Sequence, residues 1–113
     1  MALALNVFKT ITKIASTSPV GIYTAPIGYT GVILLAQTAN VGNNTQTVSF
    51  SHRRTVSGIA VTTEILKDFP VSSSDTANLL AGKLVLESGD ALLLSASSGT
   101  DIKFLGSVLE TLN

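Results

Sequence analysis

The sequence predicts an all-β protein: a single antiparallel β-sandwich of jelly-roll or immunoglobulin-like type, with seven or eight strands. Three observations predict it. Branched aliphatic side chains alternate with small hydroxyl residues, and Ser and Thr together make up 27 of the 113 positions, a composition suited to pleated surfaces that are wet on one side and buried on the other. Apolar positions follow period two better than period 3.6. Turn signals recur roughly every 8–12 residues, the spacing of an all-β sandwich. The length supports one domain over residues 1–113 with one core.

Residues 7–14 (VFKTITKI) read as a first strand carrying Lys9 and Lys13 outward, broken by Ser16, Thr17, Ser18 and Pro19. Residues 21–25 form a short strand stopped by Pro26 and turned through Gly28. Residues 31–40 (GVILLAQTAN) are the most continuous apolar stretch, read as a central strand buried on both faces at its start. Val41-Gly42-Asn43-Asn44 is a turn, since Gly and Asn tolerate positive φ, and it predicts a hairpin to the alternating strand 45–52. Residues 57–63 read as a strand, and residues 64–69 (EILKDF) as its continuation or one helical turn before Pro70. Residues 78–81 and 82–87 yield one or two strands ended by Ser88-Gly89-Asp90, and 91–96 (ALLLSA) another. Residues 102–112 close the domain, with Ile102, Phe104 and Val108 on one face and Gly106 marking a bulge or a close approach. The capping-box spacing from Ser107 to Glu110 offers a helical alternative there.

Composition excludes much chemistry. Charged residues are 12% of the chain, seven basic against seven acidic, so the net charge that drives general nucleic-acid binding is missing. Cysteine is absent, which removes disulfides, thiolate metal sites and a cysteine nucleophile. No apolar run exceeds five residues, far short of the roughly 18 that span a bilayer. The apolar start, Met1-Ala2-Leu3-Ala4-Leu5, has no basic flank and is too short for a secretory signal, so synthesis in the cytoplasm is expected.

The candidate functional residues are few. His52, the only histidine, lacks nearby acidic residues in sequence and reads as a surface polar residue at a strand end. Arg53 and Arg54, the only basic pair, read as a solvated strand end, with a carboxylate on a partner subunit as the alternative. Asp75, Asp90 and Asp101 fall in predicted loops without calcium-loop spacing and read as turn formers. Asn43-Asn44-Thr45 matches a glycosylation sequon but serves as a turn. No G-x-S-x-G elbow and no phosphate loop is present. Phe8, Phe50, Phe69 and Phe104 are spaced as core residues, and Tyr23 with Tyr29 could pack or form a small sugar platform.

The run Gly21-Ile22-Tyr23-Thr24-Ala25-Pro26, with Gly28 and the strand 32–37, resembles small β-sandwich proteins of tailed bacteriophages, cyanophages among them. So does the second half, through Gly82-Lys83-Leu84-Val85-Leu86-Glu87-Ser88-Gly89-Asp90-Ala91-Leu92, then residues 95–98 and 107–110. The Leu-Glu-x-Gly-Asp-x-Leu part reads as a hairpin with inward leucines on both strands. The resemblance implies a structural virion component of the tail, neck, fibre or capsid exterior, not an enzyme, with no cofactor, nucleic-acid or membrane partner. It is expected to bind other virion proteins and itself, as a trimer or larger ring. Leu3 and Leu5, whose exposure in a monomer would be costly, join Arg53 and Arg54 as candidate interface residues. A carbohydrate- or receptor-binding module is the alternative, weakened by the absence of Trp.

Overall fold

The computed structural model describes residues 5–113, so Leu3 lies outside the described residues. Nine strands form two antiparallel sheets, one or two strands more than the sequence predicts: β1 (Asn6–Ile14), β2 (Val20–Thr24), β3 (Tyr29–Asn40), β4 (Gln46–Val56), β5 (Ile59–Val71), β6 (Thr76–Asn78), β7 (Leu84–Leu86), β8 (Ala91–Ala96) and β9 (Ile102–Leu112). The first sheet runs β1-β9-β3-β6, with β7 also on the β3 edge, and the second runs β2-β8-β4-β5. The pairings nest: β4 with β5 innermost, then β3 with β6 and β7, β2 with β8, and β1 with β9. This is one long hairpin rolled across two layers, the jelly-roll member of the two topologies expected.

Rolling the hairpin moves the chain from sheet to sheet at most connections, and two expected hairpins are therefore absent. Strand β3 pairs with β9, β6 and β7, while β4 pairs with β5 and β8, so the turn after Asn40 crosses between sheets. The Ser88-Gly89-Asp90 turn likewise joins β7 of one sheet to β8 of the other. The turn residues were legible, but a turn does not specify which edge the next strand joins. Residues 64–69 continue β5, and residues 105–112 are strand; neither is helical. The one long local hairpin, β4–β5, turns through Ser57 (φ 53°) and Gly58 (φ 78°), the two left-handed residues of a type I′ turn.

The core lies between the layers. Phe50 and Phe104 stack with ring centroids 6.0 Å apart, among Ile33, Val48, Leu86, Leu92, Leu94, Ile102 and Val108. Gly106 makes a close approach: a Cβ there would sit 2.9 Å from the Phe104 ring and 3.2 Å from the Leu35 carbonyl oxygen. Gly106 pairs with Ala36, and just beyond it β3 carries its bulge, with Leu35 paired to Ser107 and Ile33 to Val108. Gly106→Ala should therefore cost about 1–3 kcal/mol through overpacking, measured by urea denaturation.

Three expectations about orientation need correction. Phe8 is 73% exposed and Phe69 42%, so only Phe50 and Phe104 serve the core. In β1 the inner positions are Val7, Lys9 and Ile11, with Lys9 reaching in to the buried Glu110. An edge strand allows this, because the lysine stem crosses the rim while its ammonium meets the carboxylate. Finally, β3 is covered on one face only: Gly31, Ile33, Ala36 and Thr38 are buried, whereas Leu34 and Leu35 are exposed. Its continuous apolar run reflects an apolar outer face, not a covered one.

Candidate functional site

The β4–β5 hairpin outruns the sandwich. Pairing of β8 with β4 stops at Ala91↔Arg53, but β4 and β5 stay paired through Arg54↔Val61 and Thr55↔Ala60 to Val56↔Ile59. The last turn of the hairpin is thus a two-stranded arm. Directly paired residues of an antiparallel ladder share a face, so His52, Arg54 and Val56 lie with Thr63, Val61 and Ile59 on the face that continues the core side. Val56, Ile59 and Val61 are 59%, 67% and 56% exposed, beyond the point where β8 stops pairing with β4. A hollow of about 310 Å³ lies at the arm's base, lined by His52, Arg54, Val56, Val61 and Thr63.

A charged cluster closes the sandwich where the arm begins. Asp90 is only 3% exposed and holds it together. Arg54 donates to it in a fork, Nε to Oδ1 at 3.0 Å and Nη2 to Oδ2 at 2.6 Å. His52 Nε2 donates to Oδ2 at 3.0 Å, and the Glu87 backbone N–H to the same oxygen at 3.0 Å. Glu87 adds its own carboxylate to Arg54 at 3.0 Å. The Arg54 hydrogen bonds, helped by His52 and the Glu87 amide, outweigh burial and lower the Asp90 pKa from 3.8 to about 2. A second buried carboxylate, Glu110, lies at the same end, between Lys9 Nζ at 3.0 Å and the Tyr23 hydroxyl, which donates at 2.6 Å. Burial works to raise the Glu110 pKa, but Tyr23 and Lys9 bring it below the usual value; burial and Glu110 together raise that of Tyr23.

The other exposed apolar surface is the outer face of the first sheet. The registers place Phe8 beside Leu109, Leu109 beside Val32 and Val32 beside Val85, one row across four strands. Phe8 and Val85 at its two ends are exposed. Leu35, Leu105 and Ile14 extend the same face toward the far end of the sheet.

The sequence-derived candidates land unevenly. Leu5 is exposed at the start of β1, its carbonyl accepting the Leu112 N–H at 2.8 Å. Arg53 is exposed on the outer side of β4, whereas its neighbour Arg54 takes a buried carboxylate of its own chain. His52 is not a strand-end surface residue: it sits within β4, faces inward and pairs with Asp90. Asp90 does form a turn, with its N–H bonded to the Glu87 carbonyl, but its carboxylate is also the hub of the cluster. Tyr23 points inward at Glu110, so the two tyrosines do not make an exposed sugar platform. Among the described residues no hydroxyl hydrogen-bonds to His52, and no three His, Asp or Glu side chains gather to hold a metal ion. Sequence reasoning missed Asp90 as a partner and Val56, Ile59 and Val61 as a surface; the alternation across the Ser57-Gly58 turn was the available signal for the latter.

No protein-family model and no curated protein matches the chain. Solved structures do. A chain of the IBDV viral particle matches at a TM-score of 0.60 and 11% identity, covering 97% of this chain and 32% of that one, so this chain spans about a third of its length. A chain of Bacillus endospore appendages, described as disulfide-linked pili, matches at a TM-score of 0.51 and 16% identity, covering 100% of this chain and 97% of that one. What is shared is the fold. Both of those chains come from assemblies, a viral particle and a pilus.

Proposed function

We propose that this chain is a non-enzymatic structural subunit that assembles with copies of itself and with neighbouring proteins, on the tail, neck, fibre or capsid exterior of a tailed-phage virion. The observation that carries the reading is the uncovered apolar surface: the Phe8–Leu109–Val32–Val85 row on an outer sheet face. A contiguous patch of this kind on a chain with so few charges marks a surface that another protein covers. The shared fold with a viral-particle chain and a pilus chain supports assembly, and the sequence resemblance supports the phage setting. Unlike a disulfide-linked pilus, an assembly of this cysteine-free chain is held by packing. The His52–Asp90 pair belongs to the structural cluster and carries no turnover.

The expected product is a trimer or larger ring, detected by light scattering of the purified chain. Because apolar contacts are not screened by ions, moderate salt should leave it intact. Phe8→Asp should weaken self-association at least tenfold, since burying a large aromatic side chain is worth about 1.5–3 kcal/mol. Mass spectrometry of purified virions, fractionated into heads and tails, tests the setting. A chain that is monomeric at high micromolar concentration and absent from virions would overturn the reading.

A further inference from the structure

Among the described residues strand β5 is the outer edge of its sheet, and its two halves are built differently. Edge strands ordinarily defend themselves against pairing with other chains by charge, proline, bulges and strand breaks. The half of β5 next to the sandwich carries charge, proline and bulges. It contains Lys67, Asp68 at φ 50° and Pro70, and its register to β4 shifts twice near Phe50. The half on the arm carries none. From Ile59 to Thr63 the sequence is Ile-Ala-Val-Thr-Thr, uncharged, rich in β-branched residues, exposed, and in unbroken register with β4.

We infer that the free edge of Ile59–Thr63 pairs antiparallel with the same segment of a second copy, with Val61 opposite Val61 of that copy. The proposal rests on the assembly reading above and names a surface for it. The segment is self-complementary in this register: Ile59 meets Thr63 and Ala60 meets Thr62 of the other copy, and no like charges oppose each other. Glu64, the first charge, falls opposite Gly58 of the second chain. A slip of one residue would set the apolar face of one arm beside the polar face of the other. In the stated register Val56, Ile59 and Val61 of both chains form one continuous apolar strip. Because the arm extends past β8, the two sandwiches lie at opposite ends of the joined arms. The contact is two-fold, so it closes after two copies. It serves to join one ring to the next, while the outer sheet face builds the ring.

The absence of native cysteine makes the register directly testable. Directly opposed residues of antiparallel strands have Cα atoms about 4.5–5.5 Å apart, within disulfide range. Under mild oxidation Val61→Cys should crosslink to itself, Ile59→Cys should crosslink to Thr63→Cys when the two are mixed, and Thr55→Cys on β4 should not crosslink. Independently, Val61→Lys and Val61→Glu should each weaken joining at least tenfold while leaving the far-UV spectrum and the ring unchanged, and an equal mixture of the two should restore it. That rescue requires residue 61 to face residue 61, which a purely structural role for Val61 does not. Equal crosslinking at positions 55 and 61, or no rescue, overturns the proposal. Rings that form without self-crosslinking at position 61 overturn it and leave the assembly reading standing; a chain that forms neither overturns both.

Discussion

Asp90→Ala should lower unfolding free energy by about 3 kcal/mol at neutral pH, as breaking a buried ion pair costs about 3–5 kcal/mol and the half-exposed Arg54 recovers some water. For a domain of this size that is a fall in Tm of roughly 10–20 °C, read by circular dichroism. The residue serves three donors at once, Arg54, His52 and the Glu87 amide, and among the described residues none has a second buried acceptor to replace it. The acid limb supplies a second signature. Asp90 has a folded pKa of about 2 against 3.8 unfolded, so its contribution is complete above about pH 4 and is lost as pH falls through 2. That shift corresponds to about 2 kcal/mol of stability. The wild type should therefore lose stability between pH 4 and 2 more steeply than Asp90→Ala, with Glu110 supplying part of the slope that remains. Parallel acid limbs in the two proteins, or a loss under about 1 kcal/mol at neutral pH, would show that the cluster does not act as described.

Phe50→Ala should cost about 3–5 kcal/mol, the expected loss for a fully buried aromatic whose space cannot collapse. Phe50 is completely buried between the layers and stacks on Phe104, so truncation removes apolar burial and leaves the Phe104 ring facing a void. With total stabilities of about 5–15 kcal/mol for such domains, this variant should be close to unfolding at physiological temperature. Phe8→Ala is the matched comparison: the same side chain, on the outer face of β1, should change folding stability by no more than about 0.5 kcal/mol. Urea denaturation of both checks the contrast. Equal losses would mean that Phe8 is also covered in the isolated chain.

The contrast between the two phenylalanines shows where sequence reading ends. Local patterns determined the existence of most strands. Alternation in residues 102–112 placed Ile102, Phe104 and Val108 on one face, and β8 coincides with the predicted stretch 91–96, because backbone pleating and side-chain period are properties of a few neighbouring residues. Gly106 was recognisable as a special position for the same reason. In VFKTITKI, by contrast, both alternating sets contain apolar residues, so the pattern could not say whether Phe8 or Val7 faced inward. The answer came from the buried Glu110, 101 residues from Lys9 and across a ladder that no local signal describes. Tertiary structure also decided which sheet each strand joined, turning two expected hairpins into crossings. It brought Asp90 to His52 and Arg54, 38 and 36 residues away, and it stopped β8 short so that the arm was left bare. Strand formation is local, whereas edge pairing and the burial of a charge depend on partners distant in the chain, and only the folded sandwich supplies them.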